Sequence, residues 1–225
     1  MTDFKFTQDW FHWAPEIWTQ LTPTLPGRGA FLELGSFEGR STVWIVENML
    51  GAGGFIDCVD TWMGAEEHIK MGLAMPAAEA NFEYNIDKVL GGATVDARGS
   101  EGWVHHVRYA SEGGDATNKR VYKYRCKSTE MLGSKLCDPQ FSRQPLYDFI
   151  YVDASHTAPD VLTDACMAWP LLKENGIMVF DDYLWGEQRD VLRRPKLAID
   201  AFANIFAEQL KPLYSGYQYI VRKEK

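Results

Sequence analysis

At 225 residues, with 46% hydrophobic and 24% charged positions, the chain carries enough apolar matter for a full core, which excludes wholesale disorder. A formal net charge of −8 argues against a surface built to neutralise phosphate backbones, so nucleic acid is not the expected partner. No run approaches the ~18 consecutive apolar residues of a membrane helix. The opening MTDFKFTQDWFHW lacks the basic and apolar regions of a secretory leader, and a soluble, cytoplasmic protein is expected. Cys58, Cys126, Cys137 and Cys166 show no C-x-x-C spacing and read as small buried hydrophobes rather than a zinc or disulfide framework.

In chain order, residues 1–29, with Trp10, Phe11, Trp13 and Trp18, predict an aromatic helical cap that packs on the core or walls a site. Residues 30–34 read as a strand and 41–50 as a helix closed by Gly51, followed by a second strand at 55–59. Residues 91–118, rich in Gly, Ser and charge around a short VHHVRY stretch, break the alternation and read as an insertion or lid. Strands follow at 120–125, 147–152 and 177–180. A helix at 159–173 opens on a proline, is kinked or shortened at Pro170, and ends at Asn175-Gly176. A helix over 196–210 places Leu197, Phe202, Ile205, Phe206 and Leu210 on its apolar face, with Ile199 to one side. Two strands, 212–215 and 217–222, flank Gly216.

Short apolar strands alternating with helices predict one Rossmann-like, doubly wound α/β domain over 1–225. Its mostly parallel, seven-stranded sheet ends in an antiparallel hairpin. By fold analogy, that hairpin favours a class I methyltransferase over a nicotinamide-binding domain.

FLELGSFEGRST has the order strand, Glu33, Gly35, Gly39, helix, so its glycines fall in the turn where backbone approaches a ligand. G-x-G-x-x-G would identify a dinucleotide site, but Phe37 stands at the middle glycine. Glu33 is placed to accept hydrogen bonds or hold an ammonium group, and Ser41 or Thr42 to serve the open helix start. Asp60, ending the second strand, is placed for two ribose hydroxyls, somewhat beyond the ~20-residue spacing usual for such a carboxylate. Asp153 and the pair Asp181-Asp182 end the fourth and fifth strands. Three such carboxylates suit a hard divalent cation; alternatively one caps a helix, one contacts a hydroxyl and one is solvated.

ELGSFEGRST followed by CVDTWMGAEEH resembles the class I methyltransferases grouped with macrocin O-methyltransferase and the cephalosporin-hydroxylase-like proteins. The resemblance runs from about Trp10 to the end, 91–118 departing from it. It implies S-adenosylmethionine held by Glu33, Gly35, Ser36, Phe37, Gly39, Ser41, Asp60, Thr61 and Asp153, with Trp62 at the adenine or substrate edge and Ser128 on the adenine. It also implies Mg²⁺ on Asp153, Asp181 and Asp182, because related O-methyltransferases carry ligands in an Asp…Asp-Asp pattern. Where the catechol type has D-x-x-K, this chain has D-x-x-H, ending at His156. A histidine can take a hydroxyl proton near neutrality, so His156 is the candidate base. In the sugar O-methyltransferases an aspartate two residues after the first ligand has that role, and Ser155 stands there here.

The expected activity is O-methylation of a small-molecule hydroxyl. A metal-independent methyltransferase and a non-catalytic cofactor-binding protein of the same fold are the alternatives, and a nicotinamide oxidoreductase is a distant one. His68, after Glu66-Glu67 in an expected mobile loop, and His105-His106 in the insertion have no fixed geometry in the sequence. Tyr183 and Trp185 are candidate pocket walls or sheet-edge packing. The acceptor and any homo-oligomer stay open.

Overall fold

The computed structural model describes residues 3–64, 66–101, 104–112, 118–139, 144–186 and 190–224, with the side chains of 66–67 and 96–101 outside the description. Glu66 and Glu67 therefore contribute backbone only, and residues 102–103 and 113–117 of the 91–118 segment lie outside the described residues.

A strap over 3–13 leads into α1 (Ala14–Leu21), then β1 (Ala30–Leu34), α2 (Arg40–Asn48), β2 (Phe55–Asp60), α3 (Glu66–Lys70) and α4 (Met75–Val89). There follow β3 (Thr94–Glu101), β4 (Val104–Ala110), β5 (Arg120–Arg125), α5 (Ser128–Cys137), β6 (Tyr147–Val152), α6 (Ala158–Ala168) and β7 (Leu172–Phe180). The chain closes with α7 (Pro195–Ile205), β8 (Leu210–Ser215) and β9 (Tyr219–Lys223).

Among the described residues, one sheet of nine strands, rather than the expected seven, runs in the order β3-β4-β5-β2-β1-β6-β7-β9-β8. The two additional strands come from 91–118, whose β3 and β4 pair antiparallel and extend the sheet beyond β5. The VHHVRY stretch supplies β4, so an isolated apolar run between polar flanks was a strand, paired on both sides, with β3 at the sheet edge. The five central strands are parallel, and β9 and β8 add antiparallel as expected. Among the described residues, no helix is long and apolar enough to cross a membrane.

Strand alternation divides the core in two. Leu32, Leu34, Ile150, Val152, Met178 and Phe180 pack with Met131, Leu132, Val161, Ala165 and Phe202 of α5, α6 and α7. Phe31, Ile56, Cys58, Phe149, Tyr151 and Val179 meet Trp18, Ile45, Val46, Phe82 and Ile86 of α1, α2 and α4. Pro170 acts as expected: α6 stops at Ala168, a 3₁₀ turn covers Trp169–Leu171, and β7 begins at once. The apolar face of α7 is a correction. Pro195, Ala198, Ile199 and Phe202 are its buried residues, whereas Leu197 is 45% and Ile205 72% exposed. One residue on a helix is a rotation of about 100°, and small Ala198 rather than Leu197 faces the core.

Candidate active site

The chain runs outward from β1 through β2 to β5 and then returns to β6 on the other side of β1, so the strand order reverses between β1 and β6. In open α/β sheets, ligands bind at the carboxyl strand ends beside such a reversal. The ends are levelled by the last rungs of the parallel ladder. Gly35 N–H donates to Val59 O at 2.8 Å, Asp153 N–H to Leu34 O at 2.8 Å, and Asp181 N–H to Val152 O at 3.0 Å. The residue after each strand is thereby fixed at one height beneath a cavity of about 680 Å³, within the usual range for small-molecule sites.

Gly35 (φ +87°) could not be another residue, because a Cβ there would lie 2.0 Å from the Asp153 carbonyl oxygen. Phe37 takes the left-handed conformation (φ 45°) that the middle glycine would normally supply. Two side chains hold it there. The Asp60 carboxylate accepts from the N–H groups of Ser36 (3.1 Å), Phe37 (2.9 Å) and Trp62 (2.7 Å), and Trp62 Nε1–H donates to Phe37 O at 2.8 Å. Three of a carboxylate's roughly four acceptor positions are therefore used, leaving Asp60 about one for a ligand unless the turn shifts.

Glu33 is fully buried behind the turn, accepting from the hydroxyls of Ser41 (2.6 Å) and Thr42. Burial raises its pKa, opposed chiefly by those hydroxyls. It braces the start of α2 from beneath.

Of the sequence candidates, Gly35, Ser36, Phe37, Ser41, Asp60, Thr61, Asp153, His156, Asp181 and Asp182 all line the one cavity. Glu33, Gly39, Trp62 and Ser128 are not among its lining residues. Gly39 (φ +75°) starts α2 with its Cα against Phe82, and Trp62 is buried beside Phe82. Ser128 donates its hydroxyl to Asp164 at 2.6 Å.

The carboxylates form a tight group. His156 Nε2 lies 2.5 Å from Asp182 Oδ2, and its ring packs 4.7 Å from that of Trp185. Asp182 adopts φ 55°, which aspartate tolerates better than most residues, and this turn aims it at His156. Asp181 points elsewhere: its Oδ2 accepts from the Tyr151 phenol and from Gln218 Nε2 at 3.3 Å, and its Oδ1 from Asp182 N–H at 2.8 Å. Tyr151 also reaches Asp153 Oδ2 at 3.0 Å. A phenol has one proton, so both contacts are hydrogen bonds only when one carboxyl is protonated. Burial, then the charges of Asp181 and Asp182, push Asp153 well above the carboxylate range. Burial, then Asp182, pushes Asp181 up to about 7. Asp153 keeps some surface in the cavity, yet protein surrounds it closely enough for desolvation to dominate.

The donor atoms that converge are one each from Asp153, His156 and Asp182, all within 4.8 Å of one another. The three-carboxylate set that suits Mg²⁺ is not assembled, because Asp181 is committed to Tyr151 and Gln218.

The remaining wall draws on the N-terminal segment and Trp185, for both of which the sequence offered wall or packing roles, and on residues the sequence did not single out. Gln8, Asp9, Trp10, His12 and Trp13 of the strap line the cavity. Thr7 donates N–H and hydroxyl to buried Glu38 (2.6 and 2.9 Å), Asn85 exchanges hydrogen bonds with Lys5 (2.7 and 2.9 Å), and Arg40 Nε donates to Gln8 O (2.9 Å). His68, expected in a mobile loop, sits on α3 and stacks with Phe37 (5.5 Å) and Trp10 (5.8 Å). Trp185 and Tyr217 complete the wall near His156, whereas Tyr183 is buried and donates to Asp200 at 2.8 Å. His106 packs against Tyr122 and Tyr124 on the far edge of the sheet.

A family model described as a methyltransferase domain matches residues 32–183, from β1 to the turn that carries Asp181 and Asp182. The chain belongs to this methyltransferase family. Its sheet, with the antiparallel β8–β9 hairpin beside β7, is that of the class I S-adenosylmethionine-dependent methyltransferases.

Solved structures similar to this methyltransferase include an O-methyltransferase from Bacillus cereus in complex with SAH (16% identity, TM-score 0.57, covering 98% of this chain and 84% of that one). TomG from Streptomyces achromogenes, an O-methyltransferase involved in tomaymycin synthesis and solved with SAM, is 14% identical (TM-score 0.59, 94% and 80% covered). An rRNA methylase from Streptococcus thermophilus is 9% identical (TM-score 0.53, 98% and 100% covered). At such identities the likeness speaks for the fold, which hosts several acceptors. No curated protein sequence matches the methyltransferase significantly.

Proposed function

We propose that this methyltransferase moves the methyl group of S-adenosylmethionine to a hydroxyl oxygen of a small molecule, with His156 taking the hydroxyl proton. The observation that carries the reading is the His156–Asp182 pair, 2.5 Å apart in the cavity that also contains the glycine turn. The O-methyltransferase descriptions of the Bacillus cereus protein and of TomG agree with it, and so does the net charge of −8.

Bound S-adenosylmethionine supplies an electrophilic methyl on a sulfonium centre. The turn 35–39 and Ser41 would receive its amino-acid end, Asp60 and Thr61 its ribose, and Asp153 would face the reacting end. The strap, with Trp10 and Trp13, walls one side of the site and limits its contact with water, which strengthens electrostatic contacts inside. When an acceptor hydroxyl enters between His156 and Asp182, which must then part from their 2.5 Å contact, His156 with its proton on Nδ1 would offer an Nε2 lone pair to it. The O–CH₃ bond forms as the S–CH₃ bond breaks, the hydroxyl proton passes to Nε2, and S-adenosylhomocysteine and the methyl ether leave. Asp182 balances the imidazolium, and the 2.5 Å contact is the geometry of that charged product. Because Asp181 is spent on Tyr151 and Gln218, the carboxylate-only Mg²⁺ set does not fit.

The test is turnover against a panel of hydroxyl compounds. His156→Ala should lower kcat by roughly 10²–10⁴-fold, the scale of general-base catalysis, with S-adenosylmethionine affinity kept. Full turnover in that variant would refute the base assignment, and turnover abolished by a chelator would restore the metal-dependent reading.

A further inference from the structure

Asp153, His156 and Asp182 differ from a bare acidic cluster in two ways. One donor is an imidazole nitrogen, and each side chain is held by contacts outside the trio. The Asp153 carboxylate meets the Tyr151 phenol at 3.0 Å on a backbone fixed to Leu34 O at 2.8 Å, the left-handed backbone at Asp182 directs its carboxylate, and the His156 ring packs on Trp185 at 4.7 Å. All three line the open cavity, so an ion could enter and keep further positions for water. Ligand atoms on one Zn²⁺, at about 2.1 Å each, stand at most about 4.2 Å apart. Closing a set already within 4.8 Å needs small side-chain adjustments only.

Donor chemistry names the class of ion. Mg²⁺ prefers six oxygens and sheds water reluctantly, whereas imidazole with carboxylate suits borderline transition cations. We propose that Asp153, His156 and Asp182 form a binding site for a transition cation such as Zn²⁺ or Co²⁺, and that its occupancy switches methyl transfer off. The second half rests on the function proposed above. Coordination uses the Nε2 lone pair and leaves the ring proton on Nδ1, so the imidazole has no lone pair for the acceptor's proton. The ion takes the place of the His156–Asp182 contact and converts a base into a ligand.

The experiment has two arms. Chelator-treated protein is titrated with Co²⁺ and followed by its visible absorption, with Zn²⁺ as competitor and Mg²⁺ as control. One equivalent should bind, Zn²⁺ should displace it, and Mg²⁺ should not. His156→Gln and Asp182→Asn, each confirmed as folded by circular dichroism, should weaken binding by about tenfold or more, at least the scale reported for altered metal-site shells. Absence of a one-equivalent site in the wild type, or binding undiminished in both variants, overturns the site. In the second arm, Zn²⁺ should suppress turnover and a chelator restore it. Stimulation by bound Zn²⁺ would overturn the switch and the base assignment while leaving the site in place. No Co²⁺ binding with turnover still dependent on His156 would remove the site alone.

Discussion

Gln218, fully buried in the turn before β9, accepts the indole N–H of Trp18 at 2.8 Å across a separation of 200 residues. Its amide N–H₂ reaches Asp181 at 3.3 Å, so one side chain ties the helix behind the strap to the carboxylates of the site. Gln218→Leu would leave a buried indole N–H without its acceptor, at a cost of about 1–3 kcal/mol. Urea unfolding should show that loss. Trp18→Phe combined with Gln218→Leu should cost less than the two single changes together, as expected for residues in one network. Strict additivity would show that the bond contributes nothing.

Asp164 is a buried carboxyl whose one hydrogen bond, from Ser128, is outweighed by desolvation, so its pKa is pushed up to about 6. A folded value above the unfolded one favours the protonated state. The associated stability is present below the unfolded pKa and is lost as pH rises through about 6. From 3.8 to about 6, the linkage is at most roughly 3 kcal/mol. Asp164→Asn stays neutral and should flatten this part of the stability profile, gaining on the wild type between about pH 4 and 7. Parallel profiles for the two proteins over that range would contradict the burial argument.

Asn85 is the hub of the strap, holding Lys5 through both its oxygen and its nitrogen and also reaching Glu38 O at 2.9 Å. Asn85→Ala removes these bonds, each about 1 kcal/mol net, from a segment whose ordering depends on them. Limited proteolysis should cut faster within 3–13, and S-adenosylmethionine should bind more weakly, with the rest of the protein still folded. Unchanged cleavage and affinity would mean that the Thr7–Glu38 and Arg40–Gln8 bonds and the aromatic rings hold the strap without Asn85.

Two glycines with positive φ separate strain from collision. Gly72 (φ +70°) has open space where a Cβ would go, whereas at Gly35 the Cβ would strike the Asp153 carbonyl. Gly72→Ala should cost about 1–2 kcal/mol, the left-handed penalty alone. Gly35→Ala should cost about 3 kcal/mol or more and abolish the melting-temperature shift given by S-adenosylmethionine. Similar losses at the two positions would show that the approach of β1 to β6 gives way easily.

The glycine turn, Asp60, and the carboxylates and His156 beyond β6 and β7 were legible because buried parallel strands announce their ends, and a ligand site of this architecture lies at those ends. The strap was legible only as an aromatic cap or wall; its anchoring was not, because its hydrogen bonds run to Glu38, Asn85 and Arg40, residues with no local signature of that role. Asp181 and Asp182 are indistinguishable as a dipeptide. Only the left-handed turn at Asp182 and the distant Gln218 and Tyr151 send one to His156 and the other into the interior. Trp62 resembled a pocket edge by position but is buried, holding Phe37 where a glycine would need no help. The edge strand β3 lacked a sustained apolar run, since an edge strand has fewer neighbours to demand one, and β4 beside it showed only the short VHHVRY stretch.

The Trp18–Gln218 bond also constrains the order in which the site can come into being. During synthesis the strap and α1 emerge before β1, and β9, last of the strands in this sheet, emerges long afterwards. Until then Trp18 has no acceptor and Asp181 lacks its amide partner. Contacts of such long sequence separation form late and slowly. A ribosome-bound chain stalled before the β8–β9 turn would therefore lack Tyr217 in the cavity wall and the Gln218 tie to Asp181, and catalytic competence should arrive with the final hairpin.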